Sequence, residues 1–191
     1  MLEQISEASA PMRRFNPRGT WTLFQKEVRR FLSVMGQTVM APVITAVLYL
    51  LVFAQALQGR TSAYEGISYT QFLLPGLVMM AVIQNAFANT SSSMVQSKVM
   101  GNLVFLLMAP LSPLQWFGAY VLAALVRSLL VAVAMLAVTL PFVPLPFEAP
   151  LVLIAHFLLA GSSLAVLGLI AGIVANKFDH VASFTNFFIM P

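Results

Sequence analysis

Few side chains in this sequence could carry out a reaction, and their spacing does not assemble a reaction site. The only imidazole bases are His156 and His180, and of these only His180 has a carboxylate beside it, Asp179. Sequence neighbours on a helix do not face each other, and no nucleophile is placed near this pair. Ser162 and Ser163 lie a little beyond His156 in a glycine-rich stretch, where small hydroxyl residues serve helix packing rather than nucleophilic attack. HExxH, P-loop and GxGxxG patterns are lacking. With no cysteine in the sequence, disulfides and thiolate metal sites are excluded and the redox compartment is unreadable. The expectation is a protein without catalytic, cofactor-binding or metal-binding residues.

Arg127 is the residue that requires an explanation. It sits about halfway along a long apolar run, where an arginine costs ~2.5–3.5 kcal/mol on insertion scales and marks either function or a buried partner. None of the acidic residues falls in a predicted span. Its candidate partners are the amides of Asn85 and Asn89, backbone carbonyls, a lipid phosphate reached by snorkelling, or a group outside this chain. Such a residue either is satisfied structurally by these groups or lines a polar pathway.

The elements that must position these residues are membrane helices. The chain is 60% hydrophobic and 8% charged, with a mean hydropathy of +0.90, whereas soluble domains carry about 25% charged residues. Lipid must cover much of such a surface. The net charge of +4 does not point to nucleic acid. Arg13, Arg14, Arg18, Lys26, Arg29 and Arg30 all precede the first apolar run, as cationic anchors of a cytoplasmic flank do, and no RNA-binding motif with interleaved aromatics follows them.

Residues 1–35 read as a polar tail followed by an amphipathic helix that starts at Asn16-Pro17. Trp21, Phe24, Val28, Phe31, Leu32 and Met35 fall on one side, Lys26, Arg29 and Arg30 on the other, and Leu23 lies off the stripe. Such a helix would lie flat at the headgroup level with its basic residues towards anionic lipid, and Trp21, Lys26, Glu27, Arg29 and Arg30 are its candidate interfacial residues. Residues 36–191 read as an all-α polytopic bundle. Its predicted spans are about Val39–Leu57 with Pro42 near the start, Tyr69–Ala88, Leu114–Leu140 and Leu151–Ala175, with the start of a fifth near Val181. Exterior loops fall at Gln58–Ser68 and Pro141–Pro150. The far end of the second span carries Asn85, Asn89 and Ser92 or Ser93 at helical spacing, a polar stripe that must face protein or water. Gly168-x-x-x-Gly172 permits close helix contact. With the N-terminus in the cytoplasm, the tail, the Met94–Pro113 connector and the Asn176–His180 loop hold every lysine and arginine except Arg60 and Arg127.

The connector stops at Ala109-Pro110-Leu111-Ser112-Pro113, since neither proline donates a helical N–H. This motif, the stretches Gln37–Thr45 (QTVMAPVIT) and Phe72–Met80 (FLLPGLVMM), and the order of elements around them resemble the ABC-2 type transport permease family from about Trp21 onward. The resemblance implies six spans, two permease copies per transporter and a separate cytoplasmic ABC ATPase that hydrolyses ATP, so no cofactor is expected on this chain. It also implies export of a drug, lipid or polysaccharide across the inner membrane of a bacterium. The connector would be a coupling helix at about Lys98–Met108, with Lys98, Gly101, Asn102, Leu103 and Pro110 as its residues, and the Trp21–Met35 helix would be a second docking surface. Val104 and Phe105 stand where family members often carry acidic residues. A fifth run ending at Pro191 makes about 17 Å of helix, roughly half of what a bilayer needs, so a fragment of a longer permease is expected. Rival readings are an ion-coupled secondary transporter, which would show internal repeats and intramembrane acids, and a non-transporting membrane scaffold.

Overall fold

The computed structural model describes residues 15–56, 62–64, 67–143 and 149–189. Helix α1 (Pro17–Leu32) starts where Asn16 Oδ1 accepts a hydrogen bond from the Gly19 N–H at 3.0 Å and Pro17 takes the first helical position. Arg29 and Arg30 occupy its last turn, where they complement the helix dipole. A turn at Ser33–Val34 separates it from α2 (Met35–Ala56), the first span. Because α2 begins earlier than Val39, Pro42 lies two turns inside the helix rather than near its start. Proline there leaves one carbonyl without its usual helical donor, a loss that membrane helices accommodate locally.

Part of the first exterior loop is an antiparallel hairpin, β1 (Ser62–Tyr64) with β2 (Ile67–Ser68), pairing Ser62 with Ser68 and Tyr64 with Ile67. This departs from a plain loop. Arg60 and Glu65 lie outside the described residues, as does the 144–148 part of the second exterior loop.

Helix α3 (Tyr69–Val99) corrects the expected second span, because it runs well past Ala88. Polar residues did not end it. Ser91 Oγ donates to the Phe87 carbonyl at 2.8 Å and Ser97 Oγ to the Ser93 carbonyl at 2.9 Å, so these hydroxyls are satisfied by the preceding turn of their own helix. At 31 residues, α3 is about 46 Å long and overreaches a hydrocarbon layer of about 30 Å. The connector is correspondingly shorter. Lys98 belongs to the last turn of α3, Gly101 turns the chain with φ +72°, and only Leu103–Met108 forms α4. The continuous coupling helix expected at Lys98–Met108 is therefore two pieces joined at a glycine, since that backbone conformation disfavours any residue with a Cβ.

Helix α5 (Pro113–Thr139) opens with a capping box between Ser112 and Gln115 and with Pro113 at its first position. Helix α6 (Pro150–Val174) follows, then the short α7 (Phe178–Phe184), which passes into a π-helical turn at Thr185–Ile189. Helices α2, α3, α5 and α6 are each long and apolar enough to cross a membrane.

Helix α3 is the central element, packed most extensively on α6 and then on α5, while α1 lies along α5. The α3–α6 contact is close because α6 offers glycine. A Cβ on Gly172 would stand 2.7 Å from Met94 Cβ and 3.0 Å from the Ser91 carbonyl, whereas one on Gly161 would stand 2.7 Å from Leu125 Cδ2 of α5. Thr90 Oγ1 donates across this contact to the Ala165 carbonyl at 2.8 Å.

A cationic cluster where the N-terminal helix meets the spans

The polar stripe of α3 and the basic face of α1 converge on one cluster. Asn85 and Asn89 are four residues apart and so share a face of α3, and both are buried. Asn85 Nδ2 donates back to the Ala81 carbonyl at 3.0 Å, which turns its amide oxygen toward α5. There Arg127 Nε donates to Asn85 Oδ1 at 3.2 Å, and Arg127 Nη1 to Asn89 Oδ1 at 3.5 Å. The partners of the central arginine are thus the two asparagines.

Arg30 enters the same cluster from α1. Its Nη2 donates to the Asn89 carbonyl at 2.8 Å and to Asn89 Oδ1 at 3.0 Å, and its Nη1 reaches Ser92 Oγ at 3.4 Å. Its Nε donates to Glu27 Oε2 at 3.0 Å, and the other oxygen of Glu27 lies 3.3 Å from Lys26 Nζ. Glu27 is fully buried, whereas the Lys26 side chain is half exposed. The guanidinium nitrogens of Arg30 and Arg127 that share Asn89 Oδ1 are at most about 6.5 Å apart. Two unit charges at that separation repel by about 2–3 kcal/mol at an effective dielectric of about 20. One carboxylate and two amide oxygens offset this, so the cluster carries a net positive charge.

Two sequence expectations for α1 are corrected here. Arg30 does not face the headgroups with Lys26 and Arg29; it points into the bundle. The buried stripe is Leu23, Glu27 and Phe31, flanked by Phe24, rather than the stripe that begins at Trp21, and Trp21 is 58% exposed. The reason is visible in the spacing. Positions 23, 27 and 31 repeat every four residues, and a glutamate in the middle of an apolar row is stable once an arginine one turn on neutralises it.

The remaining candidate residues lie at the end of the bundle where α1 meets the connector. Leu23 of α1, Leu111 of the connector, Met94 of α3 and Ala119 and Tyr120 of α5 form one core. A Cβ on Gly19 would stand 2.9 Å from Leu111 Cδ2, so α1 and the connector touch directly. On α4, Val104, Phe105, Leu107 and Met108 are exposed, and Gly101, Asn102 and Pro110 beside it are exposed too, with Leu103 half-buried. Trp21 stacks on Phe24 with ring centroids 5.2 Å apart. Lys98 is engaged within the fold: its Nζ donates to the Ala175 carbonyl at 2.9 Å and to the Ile173 carbonyl, capping the C-terminal end of α6. Arg18, Lys26 and Arg29 of α1, Lys98 in the last turn of α3 and Lys177 at the start of α7 lie on the elements that meet at this end of the molecule.

The profile of the ABC-2 type transporter family matches residues 18–191 of this arrangement. The chain belongs to the ABC-2 type transporter family. This ABC-2 chain is 34% identical over 170 residues to the inner membrane transport permease YadH of Escherichia coli K12, an alignment that covers 89% of the chain and 66% of that relative. Proteins of the same name in Escherichia coli O157:H7 and Shigella flexneri match equally well. The chain thus spans 66% of the length of these relatives. No solved structure matches it.

Proposed function

We propose that this ABC-2 chain is the transmembrane permease part of an ATP-binding cassette exporter in a bacterial inner membrane. Its substrate class would be drug, lipid or polysaccharide. In this reading the chain has no catalytic site and binds no cofactor; ATP is hydrolysed by a separate cytoplasmic ATPase, and a second permease copy and membrane lipid cover the outer faces of α2 and α6. The observation that carries it is the juxtaposition of α1 and the connector. Gly19 and Leu111 are in contact, so a subunit that grips exposed α4 can move α1 in the same stroke, with Phe105 and Met108 offered as apolar knobs. The ion-coupled reading has less support. Among the described residues the buried acid is Glu27, which lies on α1 rather than in a span and is engaged by Lys26 and Arg30.

The mechanism that follows is mechanical. ATP closes the ATPase subunits, α4 and α1 move together, and the spans attached to α1 reorient. Phe105 is the better probe of docking than Lys98, because Lys98 also caps α6. The full-length protein, purified in mild detergent from its own host, is expected to retain an ABC ATPase. Phe105→Glu should weaken that association at least tenfold, about 1.4 kcal/mol, with unchanged protein yield. Purification of the protein free of any ATPase, together with transport in vesicles driven by a proton gradient, would refute the assignment.

A further inference from the structure

Two guanidinium groups from different elements meet at one amide oxygen. Arg30 of α1 holds Asn89 Oδ1 at 3.0 Å, while Arg127 of α5 reaches the same atom at 3.5 Å, the edge of hydrogen-bond range. Asn89 itself belongs to α3 and is fully buried. Among the described residues, the carboxylate serving this cluster is Glu27, which is committed to Arg30 and Lys26. Both cations cannot bind the shared oxygen at full strength, because each repels the other and bonding geometry at a carbonyl oxygen favours limited directions.

We infer that Asn89 is a switch point at which Arg30 and Arg127 compete. Seating α1 against the bundle brings Arg30 onto Oδ1 and loosens Arg127. Lifting α1 frees that oxygen, and Arg127 then binds α5 to α3 through both Asn85 and Asn89. The seating of the N-terminal helix and the attachment of the third span to the second are thereby coupled in opposite senses. Glu27 acts as a positioning residue that aims Arg30, and Arg30 is the arm that carries displacement of α1 past α5 to α3. The structure described here is the seated state, with the shorter bond on Arg30. That this movement belongs to a transport cycle rests on the permease reading; the competition itself does not.

The test measures how often α1 lifts. These 191 residues hold no cysteine, so Leu23→Cys, made in a full-length background with any cysteine elsewhere replaced by serine, places a single thiol on the buried face of α1, against Ala119 and Tyr120. The full-length protein in inside-out vesicles is labelled with a membrane-impermeant maleimide. Arg30→Ala and Asn89→Ala are expected to speed labelling at least fivefold, since each releases α1. Arg127→Met is expected to slow it about threefold, because it removes the competitor and the repulsion. A purely structural role for Arg127 predicts the opposite sign, as loosening the bundle exposes the thiol. Faster or unchanged labelling in Arg127→Met overturns the proposal. Ala119→Cys, on the facing helix, must give the same pattern, which guards against disturbance of the core by the probe at position 23. ATP added to the complex with its ATPase should change the labelling rate. If it does not while the mutant pattern holds, the competition stands and its link to transport falls.

Discussion

Gly168→Ala tests the central packing contact of the fold. A Cβ at that position would stand 3.0 Å from Phe87 Cα and nearer still to the Phe87 carbonyl and Thr90 Oγ1. Two of these three atoms are backbone, so the methyl group can be admitted only by moving α6 away from α3. Overpacking of this kind costs about 1–3 kcal/mol. The shift also stretches the Thr90 Oγ1 bond to the Ala165 carbonyl, and an interhelical bond of that type is worth about 0.6–1.7 kcal/mol in a membrane. Against these stands a gain of up to about 1 kcal/mol from replacing glycine by alanine within a helix. The net expectation is a loss of about 1–3 kcal/mol. Gly118→Ala is the matched control, being in α5 with nothing within 4 Å of its would-be Cβ; it should be neutral or slightly stabilising. Unfolding of both variants by a denaturing detergent in mixed micelles gives the comparison. If the two differ by less than about 0.5 kcal/mol, the close approach of α3 and α6 is not as described.

Three further outcomes follow from the site. Asn85→Leu should destabilise more than Arg127→Met, by about 1–3 kcal/mol in the same assay, because it strands the guanidinium Nε while the second change removes the charge altogether; the reverse order would show that Arg127 has another partner. Glu27→Ala leaves Arg30 without its carboxylate inside the bundle and should cost about 3 kcal/mol or more, whereas Lys26→Ala, at a half-exposed ion pair, should cost under about 1 kcal/mol. Equal unfolding midpoints for these two would mean that Glu27 is solvated. Lys98→Ala uncaps α6, so amide exchange should accelerate over residues 172–175 with global stability lowered by about 1 kcal/mol; unchanged exchange there would remove the capping role.

Periodicity and charge position were enough to specify much of this protein. Lipid has to cover a chain so poor in charge, and the four runs placed from hydropathy are the four long helices among the described residues. The prolines at 110 and 113 ended the connector as their missing N–H groups require, and Gly168 and Gly172 lie where α6 touches α3. These features were legible because each depends on residues close in sequence. The boundaries that failed did so for a common reason. Polarity at Asn89–Ser97 points to the end of a span, yet α3 continues: Ser91, Ser92 and Ser97 donate to carbonyls of their own helix, Thr90 donates to a carbonyl of α6, and Asn89 Oδ1 accepts from Arg30.

What the amino-acid order determined unaided was that lipid is the solvent and where the long apolar helices among the described residues run, because hydrophobic length acts span by span. What only the tertiary structure decided was the direction in which α1 faces. The apolar stripe that begins at Trp21 is not the face that is buried, and the burial of Leu23, Glu27 and Phe31 instead depends on Arg30 finding Asn89, a residue 59 positions away. Burying a glutamate is unfavourable until an arginine lies beside it, and that arginine is stable there only because α3 presents an amide. Such a chain of mutual satisfaction exists only in the folded bundle.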